Sequence, residues 1–89
     1  MTKDEHIQYW IKSSENDLKT MQNLFNSKDY SWCLFMGYLV IEKLLKAYYV
    51  KTVDSNPPKT HNLLRLAEKA KIELTPEQKD DLILLTTFN

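Results

Sequence analysis

Between residues 5 and 26 apolar side chains recur at three- and four-residue steps. Ile7, Trp10, Ile11, Leu18, Met21, Leu24 and Phe25 form the row, and Ser14 fills its gap. Gln8, Lys12, Glu15, Asn16, Lys19 and Asn23 fall on the other side. This spacing predicts an amphipathic helix with one buried face. Asn26-Ser27-Lys28-Asp29 is a polar break, and Ser27 or Asp29 is suited to cap the next helix. That second helix is expected over 30–52. On a helical wheel Cys33, Gly37, Val40, Ile41, Leu44, Leu45 and Tyr48 cover one broad face, while Trp32, Phe35, Met36 and Leu39 cover the opposite one. Its first half is therefore apolar all round, a pattern that asks for burial on more than one side. In its second half the opposite face becomes charged, with Glu42, Lys43 and Lys46. A thin bundle has little chain with which to cover such a helix, so Trp32, Phe35, Met36 and Leu39 are the candidate contact with a second copy.

Asn56-Pro57-Pro58 breaks the helical pattern. Thr60 then reads as the N-cap of a short third helix over roughly 61–71, with Leu63, Leu64, Leu66, Ala67 and Ala70 inward. Thr75-Pro76-Glu77-Gln78 carries three start signals for a fourth helix: a capping threonine, proline at the first helical position and glutamine at the capping-box position. Leu82, Ile83, Leu85 and Phe88 give that helix its apolar side. The pattern runs on to Asn89 without a stop signal, which suggests that a C-terminal helical segment is lacking. The expected architecture is all-α: a single domain over 1–89, folded as a four-helix up-and-down bundle.

Composition narrows the function. The 12 Lys+Arg balance the 12 Asp+Glu, which argues against a duplex-DNA clamp or a polybasic membrane-surface protein. No apolar run reaches the length of a membrane span, and the first residues lead into no hydrophobic targeting core. One cysteine, Cys33, excludes an internal disulfide framework and fits a reducing cytoplasm. One glycine rules out a glycine-rich phosphate loop. Gly37 sits inside the second helix, where close approach of another helix, that of a second copy included, would explain it.

Candidate chemistry is sparse. His6, His61 and Cys33 share no metal-ligand spacing, so neither metal nor cofactor is expected. Cys33 lies in the most apolar stretch and reads as a small buried thiol. Glu42, Lys43 and Lys46 have two readings. In one, Glu42 and Lys46 are a solvated i,i+4 pair contributing about 0.2–0.5 kcal/mol. In the other, Lys43 and Lys46 join Lys59 and His61 in a small cationic pocket for the phosphate of a nucleotide, beside the amides of the third helix's start, with Glu42 orienting the lysines or a ribose hydroxyl. The tyrosines at 9, 30, 38, 48 and 49 suit base stacking as well as the edge of a core.

Taken in order, Trp10-Ile-Lys-x-x-Glu-x-Asp17-Leu18, Tyr30-x-x-Cys33-x-Phe35, Ile41-Glu42-Lys43-Leu-Leu-Lys46-Ala47 and Pro57-Pro58-Lys-Thr60-His61-Asn-Leu63-x-x-Leu66 resemble the HEPN domain (higher eukaryotes and prokaryotes nucleotide-binding). The resemblance runs from about residue 8 to the end. It implies a helical bundle, usually dimeric, in a family whose small prokaryotic members are commonly encoded beside a minimal nucleotidyltransferase, some pairs acting as toxin–antitoxin systems. A separate branch of the family cleaves RNA through an arginine followed four to six residues later by histidine. Here the one arginine, Arg65, follows both His6 and His61, so that pattern cannot be written within these residues. The expectation is a non-catalytic module that dimerises and binds a nucleotide or RNA, a nucleotidyltransferase partner, or both. The alternatives are a ribonuclease toxin whose catalytic segment lies elsewhere, and a helical interaction domain with no nucleotide role.

Overall fold

A computed structural model describes all 89 residues. It contains four helices and no strand: α1 (Lys3–Asn26), α2 (Tyr30–Thr52), α3 (Leu63–Lys69) and α4 (Pro76–Thr86). The chain starts α1 with a capping box. The Thr2 hydroxyl accepts from the Glu5 amide, and the Glu5 carboxylate accepts from the Thr2 amide. Hydrogen bonding to its carboxylate, first from the Thr2 backbone and then from the Thr2 side chain, holds the Glu5 carboxyl below its usual range against a smaller opposing effect of desolvation. α4 repeats the device with Thr75 and Gln78, as its sequence signature predicts.

α1 and α2 run antiparallel, joined by Ser27-Lys28-Asp29. Ser27 closes α1 through its hydroxyl, which donates to the Asn23 and Leu24 carbonyls. Asp29 occupies the N-cap of α2 without a side-chain cap bond. α1 and α3 both end in the same six-residue closure. The Asp29 amide reaches the Leu24 carbonyl and Ile72 reaches Ala67, while Lys28 and Lys71 sit between them at φ 61° and 63°. Glycine is the usual occupant of that left-handed position. In a chain with one glycine, two lysines take it.

α2 is the central element. α1 covers one flank of it, and α3 with α4 covers another. The residues with almost no exposure mark the second contact: Tyr38 and Val50 on α2 with Leu63, Leu66, Ala67 and Ala70 from the α3 region. Gly37 owes its place to α1 within the same chain, since a Cβ there would lie 3.3 Å from the Met21 sulfur.

α3 is shorter than its sequence suggests. Asn62, not Thr60, is the N-cap, and its side chain accepts from the Arg65 amide. Thr60 makes a local turn instead, accepting from the Asn62 amide. The Leu63 amide is taken by the Thr86 hydroxyl of α4. The reason is tertiary. Leu63 must enter the core, and α4 supplies an acceptor that a reading of residues 60–63 alone cannot include.

The molecule is flat, with extents of 38 × 32 × 19 Å. Its accessible surface is 6183 Å², against about 5,500 Å² for a compact chain of this mass. The broad apolar face assigned to α2 is only partly covered: Leu44 and Tyr48 remain exposed. On the opposite face Phe35, Met36 and Leu39 are half-buried and Trp32 is 60% exposed. No helix is long and apolar enough to cross a membrane.

Candidate functional site

The polar centre of the fold is Glu42, one turn beyond Tyr38 on α2. Its side chain is almost completely buried, and a buried carboxylate is stable only if partnered. Lys46, one turn further, places Nζ 2.9 Å from Glu42 Oε1. His61, from the loop ahead of α3, places Nδ1 3.4 Å from the same oxygen. Tyr38 ties that loop down a second time, its hydroxyl donating to the His61 carbonyl at 2.6 Å. Burial, and then the nearby negative charge of Glu42, raise the Tyr38 phenol far above its ordinary value of 10.0. The phenol stays protonated and remains a donor.

Lys46 is held on its other side by α1. Its ammonium lies 5.0 Å from the centre of the Trp10 ring, a cation–π contact. The Trp10 indole nitrogen is buried without a hydrogen-bond partner. Three elements thus converge on one charge group: α1 through Trp10, α2 through Tyr38, Glu42 and Lys46, and the α3 approach through His61.

The remaining candidates lie differently. Lys43 shares no partner with Lys46. It bonds Asp17 on α1, and both side chains of that pair are largely covered. Lys59 is exposed and makes no ion pair. At the start of α3 the Leu63 amide is taken by the Thr86 hydroxyl and the Arg65 amide by the Asn62 side chain. The solvent-facing cationic surface is therefore narrower than the four residues Lys43, Lys46, Lys59 and His61 suggest: His61, whose side chain is 70% exposed, and Lys59. Two members were invisible in the residue pattern, Trp10 and Tyr38. Trp10 reads as one more apolar position of a stripe. Its tie to Lys46 depends on antiparallel pairing of α1 and α2. No group of His, Cys, Asp or Glu side chains is arranged to hold a metal.

This arrangement is the one spanned by the sequence segments around Trp10, Glu42–Ala47 and Pro57–Leu66. Comparison with protein families matches the HEPN domain over residues 7–89. The chain belongs to the HEPN domain family. No match was found among curated proteins or solved structures. In this HEPN domain the two most family-like segments, the Glu-Lys helix and the Pro-x-Thr-His loop, meet at the Glu42–His61 pair. The Glu42–His61 contact and the Tyr38 bond to the His61 carbonyl together form a clasp that pins the loop to α2.

Proposed function

We propose that this HEPN domain is a non-catalytic binding module that dimerises and binds a nucleotide, a minimal nucleotidyltransferase partner, or both. The observation that supports the reading best is the Glu42–Lys46–His61 cluster. Its basic side chains are held in place by the fold: Lys46 between Glu42 and Trp10, and His61 against Glu42. Held there, they meet a ligand from fixed positions. His61 and Lys59 meet the phosphate from solvent, and Lys46 adds positive potential from behind. The charge is local in a neutral chain, so affinity falls with salt. A reducing cytoplasm is the proposed setting, and the partnership with a nucleotidyltransferase is of the toxin–antitoxin kind.

Calorimetric titration of the protein with ATP at low and moderate salt tests the nucleotide reading. Wild type binds, and Lys59→Ala combined with His61→Ala weakens binding at least fivefold while the domain stays folded. Absence of heat with wild type at millimolar ATP overturns it. Lys43→Ala with Lys46→Ala is a poor probe of the same question, because it strands Asp17 and Glu42 in the fold and reads stability instead.

A further inference from the structure

Two largely apolar rows are only partly covered after the chain has folded: Ser14 is buried, five members are half-buried and six are exposed. On α1 the row is Ile7, Ile11, Ser14, Leu18, Met21 and Phe25. On α2 it is Tyr30, Leu34, Gly37, Ile41, Leu44 and Tyr48. Each advances in alternating steps of four and three, the spacing of a seam between packed helices. None of these twelve positions is charged, in a chain of 27% charged residues.

The rows lie side by side on one face. Phe25 meets Tyr30 edge to face with ring centres 5.7 Å apart. Midway, Gly37 admits the Met21 sulfur. At the far end Ile7 and Ile11 with Leu44, Ala47 and Tyr48 line a mostly apolar groove of about 180 Å³, to which Lys51 adds one charged side chain. The groove has no occupant within the chain. Tyr30, Leu34, Leu44 and Tyr48 are 43–53% exposed, and Phe25 is 60% exposed.

We infer that a second copy of this chain packs on this α1–α2 face, forming a four-helix layer from two helix pairs. The inference rests on the proposed dimerisation and names its surface, which differs from the Trp32, Phe35, Met36 and Leu39 face. The occupant follows from three observations. The face is a pair of antiparallel helices, each with its own seam, and a second such pair completes the core of a four-helix bundle. Six members of the rows, Leu18, Phe25, Tyr30, Leu34, Leu44 and Tyr48, are each 39–60% exposed, an open apolar surface of the kind that a standard stable interface of ~800 Å² per partner covers. The chain is flat and exposes more surface than its mass predicts, as half of a two-layer assembly does. By contrast, Phe35, Met36 and Leu39 are already half-buried within the chain, leaving Trp32 as the one open member of that face.

Sedimentation equilibrium on three proteins tests this: wild type, Leu34→Glu with Leu44→Glu, and Trp32→Glu. All three substituted side chains are exposed, so circular dichroism should show the same helix content in each. Wild type is expected to be a dimer at micromolar concentration. The double variant should dissociate at least a hundredfold more readily, and Trp32→Glu should remain a dimer. A wild-type dimer that survives the double substitution but is lost with Trp32→Glu overturns the assigned face and leaves dimerisation standing. A wild type that is monomeric at a hundred micromolar overturns both.

Discussion

Glu42 illustrates how much one side chain organises in so small a core. It is buried, it carries a charge, and it joins Lys46 on its own helix to His61 on a loop. Glu42→Gln keeps the shape but removes the charge that both partners face. The expected loss is about 1–2 kcal/mol, below the 3–5 kcal/mol of a fully buried pair because His61 and Lys46 keep contact with water. His61→Ala should cost less than about 1 kcal/mol, since its imidazole is mostly exposed. Urea denaturation of the two variants checks the order. Tyr38 lends a pH dependence. Its folded-state pKa lies above 10.0, so the unfolded chain ionises first as pH rises. The stabilisation is complete below pH 10 and is lost progressively above it. Tyr38→Phe removes the bond to the His61 carbonyl and should cost about 1 kcal/mol at neutral pH. The same variant should lose stability less steeply than wild type between pH 10 and 12, measured by thermal melts across that range.

At the scale of elements, the ends of helices carry the clearest departures from expectation. Thr75 caps as its sequence signature predicts, because a capping box needs only residues three apart, and Thr2 caps α1 in the same way, two residues ahead of the start expected from the apolar spacing. The stops are different. Lys28 and Lys71 adopt positive φ where nothing in their identity announces it. Each is placed there by the closure behind it, in which the Asp29 and Ile72 amides return to α1 and α3. For a residue with a Cβ this conformation costs about 1 kcal/mol. Lys71→Gly should therefore raise stability by about 0.5–1 kcal/mol, with Lys28→Gly similar, despite the added freedom of the unfolded chain. A shift of the urea midpoint to higher concentration with unchanged slope is the expected result.

For the whole molecule the deciding quantity is how little is buried. Nine of 89 residues are buried, and two of these, Ser14 and Glu42, are polar or charged. The hydrophobic contribution of the single chain is correspondingly small. Association that covers the α1–α2 face would add to it, and mass action then couples stability to concentration. The midpoint of thermal unfolding should rise by several degrees between 1 and 100 μM protein. A midpoint independent of concentration would show that the isolated chain carries its whole stability.

The amino-acid order alone determines the all-helical fold, the near-complete bounds of α1 and α2, the capped start of α4 and the family. These depend on local spacing: period 3.6, proline breaks, capping residues and short motifs that survive without knowledge of neighbours. It also places Glu42, Lys46 and His61 among the residues of interest. Only the tertiary structure decides which carboxylate each lysine meets. Lys43 and Lys46 are three residues apart, yet one is drawn to Asp17 and the other to Glu42 and Trp10, because α1 crosses them at different heights. Only the fold moves the α3 cap from Thr60 to Asn62, through an acceptor on α4. And α2, apolar around most of its first half, offers several faces of equal promise. Which of them stays open depends on where α1 and α3 pack, a long-range choice that hydrophobic pattern cannot express.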